Sequence, residues 1–302
     1  MIKDFLKMSD LTSDELHNLI EFAEKLKYEK KNGIPHDILK GKTLGMIFEK
    51  SSTRTRVSFE TGIYQLGGCG LFLSSKDTQL GRGEPIKDTA RVLSRYLDGI
   101  MIRTFGQEIV EELAEYADIP VINALTDYAH PCQVLADLLT IKEYKGSFDG
   151  KKMCYIGDGN NMANSLIVGG LLAGMDVAIA TPDEYRPHTE VLEFAKAYGS
   201  KFTLTNNIFE AAEDADALFT DVWSSMGMED EIEKRKIAFN GYQINAELME
   251  KAKKDAMVQH CLPAHRGEEI TNDVLEAHAN EIFDEAENRL HAQKAVMATL
   301  MK

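Results

Sequence analysis

The sequence predicts an α/β protein of two domains, each a parallel sheet flanked by helices, with its active site in the cleft the two share. Three observations lead there. Strand-like and helix-like segments alternate from Lys42 to about Ala264, which is the mark of parallel sheets. With 302 residues, 44% of them hydrophobic and 27% charged, the chain can supply two cores of ordinary size. Clusters of polar residues recur just after the predicted strands, where open parallel sheets bind ligands.

In the first half the predicted strands are TLGMIF, CGLFLSS, DGIMIRT and IPVINAL, separated by helical stretches such as IKDTARVLSRYL and QEIVEELAEYA. TLGMIF is a short apolar run that reads as a buried strand. VSFETGIYQLGG reads as an amphipathic helix stopped by Gly67 and Gly68. Between them lies EKSSTRTRVSFE, which places hydroxyl residues at a helix N-terminus. There the first N–H groups lack intrahelical partners and the macrodipole is positive, so an anion can be held and an adjacent arginine can grip it bidentately. Residues two apart face away from each other on a helix. Arg54 is therefore assigned to the anion and Arg56 to a structural pairing. The plainer alternative is that Ser52 or Thr53 merely caps the helix.

HPCQVLADLLTIKEYKG reads as a helix with Pro131 in its first turn and Gly146 at its end, and it links the domains, with the first at 1–135 and the second at 136–285. The second half continues with KMCYIGD, DVAIAT, KFTLT, ALFTDVW and AMVQHCLP as strands. The clusters that follow strands are SSTRT, DTQ, Arg103-Thr104 and TDYAH, then GDGNN, DVWSSMG and HCLPAH. His130 and Gln133 lie three apart, so both can point from one helix face.

The formal charge of −15 argues against nucleic acid or an anionic membrane as a partner, since both reward a basic surface. A small anionic substrate would need a local basic pocket set against the overall field. No apolar run approaches a membrane span, and the first residues look like a helix start instead of a signal peptide, so a cytoplasmic location is expected. Cys69, Cys132, Cys154 and Cys261 form no Cys-x-x-Cys pair and suggest neither disulfides nor structural zinc. Cys132 and Cys154 read as packing residues.

Five segments together are specific: STRT at Ser52–Thr55, HPCQ at His130–Gln133, DVWSSMG at Asp221–Gly227, HCLPAHRGEE at His260–Glu269 and EAENRL at Glu285–Leu290. In order and over nearly the whole chain they resemble the aspartate/ornithine carbamoyltransferases, most closely the ornithine-using members. The resemblance implies a reaction giving citrulline and phosphate from carbamoyl phosphate and ornithine. It implies that Ser52, Thr53, Arg54 and Thr55 hold the phosphate with Arg103 nearby. Arg103, His130 and Thr55 would polarise the carbamoyl oxygen, Gln133 and the Leu262 carbonyl would hold its nitrogen, and Arg289 would close the pocket. For ornithine, Asn161 and the Met226 backbone would take the α-carboxylate and Asp221 and Ser225 the α-amine, with Cys261 near the reacting δ-amine. Gln79 matches a position that reaches into a neighbouring subunit's site in a homotrimer, so the resemblance implies a homotrimer or an assembly of trimers. The last helix, 286–302, would return to the first, carbamoyl phosphate-binding domain, leaving 136–285 to bind ornithine.

The chemistry fits this inventory. Carbamoyl transfer to an amine passes through a tetrahedral species whose oxygen becomes negative, and fixed Arg and His donors stabilise that charge. No metal or organic cofactor is required. An amine of lysine-like pKa is protonated at neutral pH and must be made neutral before attack, for which Cys261 and Asp221 are candidates. Leu262-Pro263 is expected to be cis. Other readings are a nucleotide-dependent oxidoreductase, suggested by GDGNN but lacking the third small residue at Met162, and a non-catalytic binding relative. Aspartate as acceptor is disfavoured by Asp221, Glu229, Asp230 and Glu231, and putrescine would leave the Asn161 and Met226 contacts without purpose.

Overall fold

A run of six apolar or small residues such as Thr43–Phe48 suits a strand covered on both faces, and the structure uses it so. The computed structural model describes residues 2–77, 83–225 and 229–302. The chain divides into two compact units, one of residues 1–139 with 287–302 and the other of 140–286.

The first unit contains α1 (Ser13–Lys31), β1 (Thr43–Phe48), α2 (Thr53–Gln65), β2 (Cys69–Ser74), α3 (Ile86–Leu93), β3 (Gly99–Arg103), α4 (Gln107–Tyr116) and β4 (Val121–Leu125), and the chain leaves it along α5 (Pro131–Lys145). Its strands form a parallel sheet in the order β2-β1-β3-β4. β1 and β3, inside the sheet, are buried almost throughout, as continuous apolar runs in parallel sheets require. β2 is an edge strand, and its Leu71 and Phe72 are exposed despite an equally apolar sequence.

The second unit contains β5 (Lys152–Ile156), α6 (Asn161–Ala173), β6 (Asp176–Ala180), α7 (Thr189–Lys196), β7 (Phe202–Thr205), α8 (Ile208–Ala212), β8 (Ala217–Thr220), α9 (Ile232–Ala238), α10 (Ala246–Met249), β9 (Met257–His260) and α11 (Asn272–Ala277). Its parallel sheet runs β7-β6-β5-β8-β9. One core face gathers Ile156, Leu218, Val258 and Ile244 against the alanines of α8. Truncating Leu218 there to alanine would cost about 2–5 kcal/mol.

The α/β class, with two parallel sheets flanked by helices, is as the sequence predicts. Strand order explains where ligands can go. In the first sheet the chain moves from β1 out to β2, then returns to place β3 on β1's other side. In the second it moves from β5 through β6 to β7, then returns to place β8 beside β5. Each reversal is a topological switch point, where the loops after adjacent strands diverge and leave a crevice. SSTRT and Arg103-Thr104 flank the first, GDGNN and DVWSS the second.

α12 (Ala279–Leu300) crosses from the second unit into the first. Its later turns press on α2 at Gly62, where an added Cβ would lie 2.9 Å from Met297 and 3.3 Å from Lys294. Lys294 is fully buried and donates to Gln65 Oε1 at 3.0 Å and His36 Nε2 at 2.6 Å. Burial lowers its ammonium pKa to about 8. None of the helices among the described residues is long and apolar enough to cross a membrane.

Candidate active site

In the first unit, Ser52 is the N-cap of α2, its hydroxyl accepting from the Thr55 N–H at 3.1 Å. Thr53 and Arg54 follow in the first turn and are exposed. Thr55 is buried, and its hydroxyl receives Arg103 Nη1 at 3.5 Å and Arg289 Nη2 at 3.3 Å. Arg289 Nη1 also donates to Gln133 Oε1 at 2.6 Å, while Gln133 Nε2 donates to Asp137 Oδ1 at 2.8 Å. Gln293, with its amide oxygen toward the guanidinium, accepts from Arg289 Nη2 at 3.0 Å and Nε at 3.2 Å. Two guanidiniums thus converge on one threonine.

His130, buried just before α5, has its pKa held well below the ordinary value. Burial is the main cause, followed by the charges of Arg289, Arg103 and Arg54. That influence places Arg54 in the same electrostatic field as the buried pair. A chain of net charge −15 has therefore concentrated three guanidiniums beside a helix N-terminus, and such a place favours an anion. Loop bonds hold the strand ends: Glu49 N–H donates to the Arg103 carbonyl at 2.9 Å, and Thr104 N–H to the Leu125 carbonyl at 3.0 Å. Lys50 with Asp127, and Thr104 with Glu49, add side-chain links that the sequence reading did not pick out. Arg56 points elsewhere, bonding Glu60 at 3.2 Å and covering the Phe72 ring at 3.8 Å.

In the second unit Asp221 follows β8. Its Oδ2 accepts from Asn160 Nδ2 at 3.2 Å, and its Oδ1 from the Cys261 thiol at 3.1 Å and the Val222 N–H at 2.8 Å. Asn160 caps α6 through the Met162 and Ala163 N–H groups and so fixes the start of the helix that Asn161 opens. In the sequence Asn160 carries only a cap signal, an Asn before an apolar helical run, and no chemistry that marks it as part of a site. Ser225 is half-buried near the end of a described segment. Gln79 and Met226 lie outside the described residues.

Leu262 follows β9 with φ of 56°, and the Leu262–Pro263 bond is cis, as expected. Asp221, His260 and Cys261 offer potential metal-ligand atoms within 4.8 Å of one another. Both His260 ring nitrogens, however, are engaged, with the Leu262 N–H and with Glu269. Cys132 and Cys154 are fully buried, and burial pushes each thiol pKa up to about 12, as packing residues should behave.

The Gly157-x-Gly159 turn is not an open phosphate cradle. A Cβ on Gly159 would sit 2.3 Å from the Arg186 and Pro187 backbone, so this glycine admits a neighbouring chain segment. Just below it Arg235 is buried, donating to Asp158 at 2.7 Å, to the Trp223 carbonyl at 2.9 Å and to Glu231 at 2.9 Å. One arginine thereby ties the loops after β5 and β8 to α9.

Comparison with known proteins fixes the family. Residues 3–143 match the aspartate/ornithine carbamoyltransferase carbamoyl-P binding domain, and residues 149–300 match the Asp/Orn binding domain. The chain belongs to the aspartate/ornithine carbamoyltransferase family. Among carbamoyltransferase relatives, the ornithine carbamoyltransferase of Oceanobacillus iheyensis is 60% identical, covering 99% of this chain and 94% of the relative. That of Syntrophotalea carbinolica is 59% identical with full coverage of both. Among carbamoyltransferase structures, the ornithine carbamoyltransferase from Pyrococcus furiosus superposes with a TM-score of 0.94 at 50% identity, covering 99% of this chain and 97% of that one. The anabolic ornithine carbamoyltransferase from Campylobacter jejuni gives 0.93 at 46%, covering 99% of each.

Proposed function

We propose that the protein transfers the carbamoyl group of carbamoyl phosphate to the δ-amine of L-ornithine, giving L-citrulline and phosphate through a tetrahedral intermediate with no covalent enzyme adduct. The observation that carries this reading is full-length likeness, at 59–60% identity, to proteins named ornithine carbamoyltransferase. The first unit's geometry supports its first half. Ser52, Thr53, Arg54 and Thr55 hold the phosphate at the α2 N-terminus. Arg103, His130 and Thr55 polarise the carbamoyl oxygen and stabilise its growing negative charge. Gln133, oriented by Arg289, holds the carbamoyl nitrogen together with the Leu262 carbonyl.

The second unit receives ornithine. Asn161 and the Met226 backbone take the α-carboxylate, and Asp221 and Ser225 the α-amine, with Cys261 beside the δ-amine. The thiol and Asp221 are hydrogen-bonded, so they form a pair able to relay the proton the amine must lose. The neutral amine bonds to the carbamoyl carbon, the carbon–oxygen bond to phosphate breaks, and the extra proton left on the nitrogen passes to the departing phosphate, an anion already held by the helix terminus and Arg54.

The reading includes a cytoplasmic homotrimer in which Gln79 serves a neighbouring subunit's site. Exposed apolar side chains in this region, Leu71 and Phe72 on edge strand β2 and Val57 and Tyr64 on α2, support self-association. Purified protein given carbamoyl phosphate and ornithine should form citrulline and phosphate in equal amounts. Phosphate release without citrulline would refute the acceptor assignment. Light scattering at the mass of one chain would refute the trimer.

A further inference from the structure

His260 closes β9 and opens the turn HCLPAH. Its imidazole is fully buried and engaged at both nitrogens: Nδ1 lies 2.9 Å from the Leu262 nitrogen and Nε2 lies 3.0 Å from Glu269 Oε1. A backbone N–H can act only as donor, so Nδ1 must accept. The ring is then neutral, and its one proton sits on Nε2 and is donated to Glu269. Glu269 Oε1 also accepts from the His265 N–H at 2.6 Å, and Glu285 Oε2 accepts from the His260 N–H at 2.8 Å. Both carboxylates are buried. Together they clamp the turn at His260 and His265.

Inside the clamp Leu262 has φ of 56°, a conformation uncommon for residues other than glycine. Such a conformation persists where the surroundings over-determine it. Here one constraint is identifiable: the imidazole holds the Leu262 N–H and so fixes the peptide plane entering Leu262, from which the φ and ψ of Leu262 set the direction of its carbonyl.

We propose that His260 is a positioning residue: as the Nε2–H tautomer fixed by Glu269, it holds the Leu262 N–H through Nδ1 and so aims the Leu262 carbonyl. The inference rests on the reading above, in which that carbonyl receives the carbamoyl nitrogen. It assigns His260 no contact with substrate and no proton transfer. The opposing account is that His260 merely fills buried space.

Two substitutions separate these accounts because they keep different halves of the ring. In His260→Asn the amide oxygen falls near the place of Nδ1 and can still accept from Leu262. In His260→Gln the amide nitrogen falls near Nε2 and keeps the link to Glu269, while the acceptor for Leu262 is lost. Steady-state kinetics should show His260→Asn within about threefold of wild type in kcat/KM for carbamoyl phosphate, and His260→Gln lower by about tenfold or more, since small misplacements of a binding group are costly. Thermal midpoints measured alongside must not account for the order. Equal losses, the reverse order, or losses that follow the midpoints would overturn the proposal.

Nitrogen chemical shifts of the labelled wild-type imidazole supply a check that needs no variant to fold. They should report a protonated Nε2 and an unprotonated Nδ1, and the other tautomer or an imidazolium would overturn the proposal. Citrulline formation by the wild type tests the underlying reading separately. An active wild type with indistinguishable Asn and Gln variants would sink this inference alone.

Discussion

Arg289 donates through Nη1 to Gln133 at 2.6 Å and through Nη2 to Thr55 at 3.3 Å, so one planar guanidinium joins α12 to the first turns of α5 and α2. A lysine ammonium is a compact point charge that cannot reproduce this fork. Arg289→Lys is therefore expected to lower kcat/KM for carbamoyl phosphate by about tenfold or more, the scale of a lost charge-assisted bond. Steady-state kinetics at saturating ornithine check it, and an unchanged value would contradict the assignment.

Arg54 and Arg56 should separate cleanly. Arg54→Ala is expected to abolish useful carbamoyl phosphate binding, measured by calorimetry. Arg56→Ala loses an exposed i,i+4 pair with Glu60 and a contact over Phe72, so its effect should be a stability loss of about 1 kcal/mol or less with binding retained. The opposite order would mean that Arg56 and not Arg54 serves the anion.

His130 makes acid stability informative. Its folded pKa is held well below the ordinary 6.5 by burial and then by Arg289, Arg103 and Arg54. Between that lowered value and 6.5 the unfolded chain binds more protons than the folded one. Stability from this group is thus fully present above 6.5 and is lost as pH falls through the interval. His130→Asn should lose less stability than wild type between about pH 7 and 5.5 in denaturant titrations, by the same linkage. His291, lowered to about 4, contributes equally to both proteins and cancels. Equal losses would contradict the assigned environment.

Much of this was legible because it is local. TLGMIF announces a covered strand, Ser52 a cap, Pro131 a helix start, and the polar clusters mark the carboxyl ends of successive strands. The edge position of β2 was not legible, since CGLFLSS is as apolar as its covered neighbours and exposure follows from strand order. Nor was the link between Asp158 and Arg235, which are 77 positions apart in sequence. Residues that hold others in place, such as Asn160 and Arg235, carry no chemistry that marks them out. Chain topology alone brings them to the carboxyl ends of β5 and β8.

Arg235 supplies a further test. Removing one partner of a buried ion pair costs about 3–5 kcal/mol, so Arg235→Gln should lower unfolding free energy on that scale. Because the same guanidinium holds the Trp223 carbonyl two residues beyond Asp221, the KM for ornithine should rise while carbamoyl phosphate affinity stays within error. Kinetics and calorimetry on the folded variant check both, and equal weakening of the two substrates would contradict a local role.

The central claim is that this chain carbamoylates ornithine, and the most direct measurement is kcat/KM for ornithine set beside putrescine, N-acetylornithine and aspartate at fixed carbamoyl phosphate. Ornithine should exceed each of the others by at least about thirtyfold, the least that loss of one partner of a desolvated charged contact, about 2 kcal/mol, predicts. Preference for putrescine or aspartate would contradict the assignment of Asn161, Asp221 and Ser225 to an amino acid's α-groups, while leaving the guanidinium cluster around Thr55 as a phosphate site.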